Sequence, residues 1–246
     1  MALDLSNYQV QEPKALPVVL LLDVSGSMSG DKINCLYDAT INMIESFANQ
    51  ILKETIINVS IITFGAGVAI HTPYTSVSLL RSNGITRFNA DGMTPLGGAL
   101  KLCKNMLEDK DETPSNIYRP AIVLVSDGQP NDSGWEQRLE EFINSGRSSK
   151  CQRYALAIGA DVDREMLKKF SSDESLLFEA TEANDIVDSF EKITMSVSNR
   201  YNSVNPNDVS NLQSSLQGAS QINNNPISSI DIDEEDEEDD DDDDDF

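Results

Sequence analysis

Twice in this chain an apolar run of the length of one buried strand stops abruptly at a carboxylate. Residues 17–22, Pro-Val-Val-Leu-Leu-Leu, end on Asp23, and residues 120–125, Pro-Ala-Ile-Val-Leu-Val, end on Ser126-Asp127-Gly128. An unbroken apolar run has no polar face to turn to water, so it suits a parallel strand covered by helices on both sides. A charge at the end of such a strand falls on the carboxyl edge of the sheet, where open α/β folds bind their ligands. These two runs therefore constrain the chain to a layered α/β fold with chemistry at one edge.

The intervening sequence agrees with that constraint. Ile33, Leu36, Ile41, Ile44, Phe47 and Ile51 recur at helical spacing over residues 32–53, with Ser29-Gly30-Asp31 supplying the start. Residues 56–64 read as the next strand, Gly65-Ala66-Gly67 as its turn, and residues 68–70 as an antiparallel partner. Residues 71–93 show little periodicity and are expected to wander along the rim. Thr94-Pro95 then opens a helix whose inner stripe is Leu96, Leu100, Cys103 and Leu107; Thr94 stands where an N-cap belongs and Pro95 in the first turn. A helix with Trp135, Leu139, Phe142 and Ile143 on one side follows, with Asp132 and Ser133 as its cap. A strand over 153–158, a short helix over 163–170, a strand over 176–180 and a helix over 184–198 complete the body. The alternation predicts a three-layer, Rossmann-like α/β fold, its central sheet mostly parallel with helices on both faces.

The charge is unevenly spread. The formal net charge is −24, yet residues 231–246 hold 14 acidic residues and no basic one, which leaves 28 acids against 18 Lys and Arg in residues 1–230. Neither part offers a basic face, which argues against direct binding to nucleic acid or an anionic membrane. The organisation expected is an N-terminal extension over 1–15, a domain over 16–199, a flexible polar linker over 200–230 rich in Asn, Ser and Gln, and a self-repelling, disordered acidic tail over 231–246. Cys35, Cys103 and Cys151 are widely scattered and form no Cys-x-x-Cys pair. With no charged-then-apolar leader at the N-terminus, they read as reduced thiols of a cytoplasmic protein.

The stretch Asp23-Val24-Ser25-Gly26-Ser27 places one carboxylate and two hydroxyls at alternate positions around a glycine. An all-oxygen set of this kind suits Mg²⁺, Mn²⁺ or Ca²⁺ rather than zinc or copper. Thr94 and Asp127 add oxygen from two further loops at the same sheet edge. Alone, Thr94 is a helix cap and Asp127-Gly128 a turn; the conjunction with Asp23, Ser25 and Ser27 gives them meaning.

Together, the Asp-x-Ser-x-Ser of residues 23–27, Thr94 within Gly-Met-Thr-Pro-Leu, and Asp127 within Ser-Asp-Gly resemble the von Willebrand factor A domain and its metal-ion-dependent adhesion site. Leu16-Pro17-Val18 before the first strand and Ser27-Met28-Ser29-Gly30 after it are similar to the bacterial tellurium-resistance Y type within that family. The resemblance implies that Ser25 and Ser27 bind Mg²⁺ (or Mn²⁺) through their hydroxyls. Asp23 and Asp127 stand close by or act through water, and Thr94 is direct or water-mediated. It further implies a non-catalytic interaction module that captures an Asp or Glu of a partner. It would be a regulatory or scaffolding subunit beside a protein kinase and a protein phosphatase in a stress-response or phage-defence system, or else an adaptor of an AAA+ ATPase.

The rival is a metal-dependent phosphohydrolase with Asp23 as the phosphoryl acceptor. Against it, Ser25 stands where the second carboxylate would act as acid and base, and no Gly-rich phosphate loop ends in Lys-Ser or Lys-Thr. A serine hydrolase would depend on His71, the one histidine, which lies outside every matching loop and reads as structural or exposed. The linker of 31 residues has a root-mean-square reach of about 30 Å as a random coil, so the acidic tail could reach its own metal edge or serve a basic partner.

Overall fold

In the computed structural model, residues 14–50, 55–203 and 205–207 are described. The N-terminal extension before Lys14, nearly all of the polar linker and the whole acidic tail lie outside the described residues, as does the expected end of the first helix at 51–53.

Six strands form one sheet in the order β3-β2-β1-β4-β5-β6. Their ranges are β1 Lys14–Asp23, β2 Thr55–Phe64, β3 Val68–Ser76, β4 Ala121–Ser126, β5 Gln152–Ile158 and β6 Leu177–Ala180. Every neighbouring pair is parallel except β2 with β3, which a tight turn joins in antiparallel register. The helices are α1 Asp31–Asn49, α2 Val77–Asn83, α3 Leu96–Glu108, α4 Trp135–Asn144, α5 Arg164–Phe170 and α6 Asp185–Tyr201.

Alternate residues of β1 feed opposite cores, which is why its sequence shows no polar face. Val18, Leu20 and Leu22 join α1, α2 and α6 through Leu36, Ile44, Leu80, Phe190 and Ile193. Val19 and Leu21 join α3, α4 and α5 through Leu100, Leu139, Phe142 and Leu167. The three-layer α/β reading holds.

Three local expectations are corrected. Residues 71–83 do not wander. β3 continues to Ser76 and α2 follows at once. That helix is seven residues long and buries only Val77 and Leu80, too few to leave a periodic signal. The last helix also does not end at 198: α6 runs to Tyr201, Arg200 is buried, and Asn207 Oδ1 accepts a hydrogen bond from the Arg119 amide at 2.8 Å. Asp132, finally, does not cap α4, whose N-cap is Gly134.

The topology positions the site. From β1 the chain moves to β2 on one side, whereas β4 lies on the other and leads outward to β5 and β6. The connections diverge between the carboxyl ends of β1 and β4, the switch point where open α/β sheets leave a crevice. Asp23 and Ser126 are the last residues of these two strands.

Candidate metal centre

Three loops converge on this crevice. The first leaves β1 through Asp23, Ser25 and Ser27, the second precedes α3 at Thr94, and the third follows β4 at Asp127. The backbone locks the first two together. The Val24 amide donates to Phe64 O at 2.8 Å, the Asp91 amide to Val24 O at 2.8 Å and the Gly26 amide to Gly92 O at 3.0 Å. Gly92 adopts φ +81°, and a Cβ there would stand 2.4 Å from the Ala66 backbone. One at Gly65 would stand 2.5 Å from Val24 O. Both positions require glycine because neighbouring backbone occupies the space of a side chain.

All five residues singled out by the sequence are brought to one place. The Ser25 and Ser27 hydroxyls lie 3.0 Å apart, and Ser27 donates to Asp127 Oδ1 at 2.7 Å. Asp23 is fully buried; its Oδ1 accepts from the Ser25 amide at 2.9 Å and its Oδ2 from the Ser126 hydroxyl at 2.6 Å. A Cβ built on Gly128 would lie 3.5 Å from Thr94 Oγ1 and 3.9 Å from Ser27 Oγ, so both hydroxyls border the same small volume above that glycine. Ser27 is exposed while Ser25, Thr94 and Asp127 are buried, so the crevice opens to solvent on the Ser27 side.

The electrostatics are unbalanced. Burial raises the Asp23 carboxyl above the usual carboxylate range; hydrogen bonds from Ser126 and Ser25 oppose the rise, and the nearby charge of Asp127 adds to it. Asp127 has a cationic partner, Lys32 of α1, whose Nζ donates to Oδ2 at 2.6 Å. Asp23 has hydrogen-bond donors but no cation among the described residues.

This donor set fits a hard divalent cation. The described residues contain no group of three or more His, Cys, Asp or Glu able to hold a metal. The converging atoms are neutral hydroxyls backed by two carboxylates, which suits an ion that prefers oxygen and retains water.

Thr94 does not cap α3 as expected. Pro95 takes the N-cap position without a side-chain bond, and the α3 amides of Gly97 and Gly98 donate instead to Asp132 Oδ1 and Oδ2, at 3.0 and 2.9 Å. Arg138 steadies Asp132 at 3.0 Å. Asn131 grips Thr94 from both sides: its Oδ1 accepts from the Thr94 amide at 3.0 Å and its amide donates to Thr94 O at 3.2 Å. The Asp127 loop thus carries the residues that hold Thr94, and the Thr94 hydroxyl is released from capping.

Sequence reasoning missed Lys32, Ser126, Asn131 and the true role of Asp132. Only Ser126, a hydroxyl directly before Asp127, left a local signal. His71 is structural: its ring nitrogens pair with the Thr72 and Thr86 hydroxyls at 2.9 and 2.8 Å, and it packs edge-on against Phe88. It contacts neither serine.

Solved structures similar to this chain include proximal thread matrix protein 1 from the mussel byssus, described with a zinc-occupied MIDAS motif. That match has 12% identity and a TM-score of 0.60, and covers 75% of this chain and 48% of that one. A von Willebrand factor type A protein from Catenulispora acidiphila matches at 16% identity and TM-score 0.58, covering 75% and 42%. The pilus adhesin SpaC from Lactobacillus rhamnosus GG, in its open conformation, matches at 18% identity and TM-score 0.61, covering 76% and 30%. This chain thus spans less than half the length of each of the three, and at these identities the likeness is one of fold. No curated protein sequence matches the chain significantly. The family model described as the von Willebrand factor type A domain matches residues 18–192, well over half of the sequence, and the chain accordingly belongs to that family.

Proposed function

We propose that this protein is a non-catalytic interaction module that captures an acidic side chain of a partner protein at a divalent cation, Mg²⁺ or Mn²⁺. Von Willebrand factor type A domains can bind divalent metals at the adhesion motif and commonly mediate protein interactions. For this chain the reading rests on one observation: both carboxylates are already held by donors, while the hydroxyls of Ser27 and Thr94 border the opening and that of Ser25 lies directly behind Ser27. Ser25, Ser27 and Thr94 would hold the cation directly or through water, with Asp23 and Asp127 orienting those hydroxyls from behind. When bound, the cation would supply an open coordination position and surplus positive charge for a carboxylate oxygen. Met93, 64% exposed beside Thr94, offers an apolar contact for the partner at the same rim.

Catalysis is disfavoured by the same geometry. Asp23 is fully buried and each of its oxygens already accepts a hydrogen bond, which speaks against its presentation to a substrate as a phosphoryl acceptor. His71 is committed to Thr72 and Thr86 and serves neither serine as a base.

The finer assignment is to a regulatory or scaffolding subunit of the tellurium-resistance Y type, working with a protein kinase and a phosphatase in bacterial stress response or phage defence. It is supported by the sequence around the first strand, and an adaptor role beside an AAA+ ATPase is its alternative. A cytoplasmic setting is supported by three cysteines that are all unpaired, two of them buried.

The test uses the full chain immobilised against paired peptides that differ only in Glu versus Gln. Retention of the Glu peptide in Mg²⁺ or Mn²⁺, and its release by a chelator, supports the reading. Equal retention of both peptides, or retention that survives chelation, contradicts it.

A further inference from the structure

Lys32 stands at the metal edge but outside its set of oxygen donors. It lies in the first turn of α1, and its side chain reaches back to the β1 loop at Ser27. Its Nζ donates to Asp127 Oδ2 at 2.6 Å and approaches Ser27 O at 3.4 Å. A Cβ built on Gly159, just past β5, would stand 4.0 Å from the same nitrogen, so the ammonium is set among loops from β1, β4 and β5. The Lys32 side chain is one-third exposed, whereas that of Asp127 is fully buried. This is therefore not a surface ion pair of the weak, screened kind.

Two consequences follow from simple charge counting and geometry. Asp23 and Asp127 together carry two negative charges, and Lys32 returns one positive charge. A divalent ion then leaves the group at a net +1 rather than neutral. Lys32 thus opposes the arrival of the metal while leaving a surplus of positive charge to attract an anion. In addition, Asp127 has Oδ1 occupied by the Ser27 hydroxyl and Oδ2 by Lys32. With each oxygen already accepting one hydrogen bond, Asp127 would be biased to stay behind Ser27 and to act on a bound cation through that hydroxyl.

We propose that Lys32 is a built-in counter-charge that holds Asp127 behind the serines and so gives up metal affinity in exchange for carboxylate affinity. The proposal rests on the metal-dependent reading above and assigns to Lys32 the role of a positioning and specificity-determining residue.

The test compares the full-length wild type with Lys32→Met, which keeps the length and packing of the stem, and Lys32→Arg, which keeps the charge. Titration calorimetry gives the Mn²⁺ affinity without any ligand, and water-proton relaxation of the Mn²⁺-loaded proteins gives the affinity for acetate. Lys32→Met is expected to tighten Mn²⁺ roughly tenfold and to weaken acetate by a comparable factor, the scale for removing one unit charge a few ångströms from a divalent ion in a partly screened site. Lys32→Arg is expected to stay within about twofold of the wild type in both.

Lys32→Met moving both affinities in the same direction, or moving neither, overturns the role of Lys32 while leaving the metal site intact. Absence of Mn²⁺ binding in all three proteins overturns the metal reading itself, and this proposal falls with it. Circular dichroism spectra that superimpose exclude misfolding as the source of a change.

Discussion

The two edges of the sheet bury charge of opposite sign and resolve it in opposite ways. At the amino edge, Arg153 lies at the start of β5 and Arg200 at the end of α6, and both are buried. Arg153 donates from Nε to Phe170 O at 2.8 Å and from Nη1 to the carbonyls of Ser149 and Cys151, each at 3.2 Å. Arg200 donates from Nε to Pro206 O at 2.7 Å and from Nη2 to Arg119 O. Neither has a carboxylate partner among the described residues; backbone carbonyls fixed by the fold accept their hydrogen bonds, although Arg200 Nη1 is buried without an acceptor. At the carboxyl edge, Asp23 and Asp127 also accept fixed donors, yet burial still raises Asp23, and the cation found there among the described residues, Lys32, belongs to Asp127. Buried guanidinium shared among carbonyls ties segments together permanently. Buried carboxylate behind a ring of hydroxyls leaves a negative balance at an opening, which is the condition for accepting an ion from solution. One edge is closed by its charges and the other is kept ready by them.

The comparison breaks most readily at Arg200. Arg200→Met leaves buried carbonyls without donors, and urea denaturation should show a loss of about 2–4 kcal/mol, with the metal affinity of the folded fraction unchanged. A metal affinity that falls with it would mean that the two edges are coupled and not separate. Asp132→Ala, next in size, removes the acceptor for two α3 amides. It should cost about 1–2 kcal/mol by the same measurement. Unlike Arg200→Met, it should also weaken Mn²⁺ binding, since α3 carries the Thr94 loop.

Deleting residues 231–246 sharpens the account of the open edge. If the tail's carboxylates compete there, the shortened protein should bind a Glu-containing peptide severalfold more tightly at low salt, and the gain should vanish at high salt. An affinity unchanged at every salt concentration assigns the tail to solubility or to a basic partner instead. The smallest effect expected is at His71, within β3. Burial holds its imidazole below the usual 6.5, so the unfolded chain takes up the proton first and stability is lost as pH falls below that value. As the only histidine, it gives a single titration in the proton NMR spectrum, expected below 6.5 and matched by a shallow decline of Tm between pH 7 and 5 that His71→Gln removes.

What could be read from the sequence follows the same division. β1 and β4 are legible because burial on both faces demands continuous apolar residues, and the Asp23, Ser25 and Ser27 motif is legible because its spacing is local. Thr94 and Asp127 became interpretable only through the order of strands that brings their loops together. Nothing local distinguishes Asp132 as a cap for the preceding helix from a cap for the following one, because its target amides lie 35 and 34 residues earlier in the chain. Lys32 read as an ordinary polar residue in a helix's first turn, and its partner lies 95 residues away. By composition Arg200 opens a linker, because the sequence turns polar there, yet it fastens α6 to Arg119 and Pro206.

The most direct test of the central claim is calorimetric titration of Mg²⁺ and Mn²⁺ into the full-length protein and into its Asp23→Ala, Ser25→Ala double variant. The account predicts saturable binding of one ion per chain in the wild type and none in the variant, with both proteins folded by circular dichroism. Equal binding in the two, or none in the wild type even with a Glu-containing peptide added to supply the missing ligand, would contradict it.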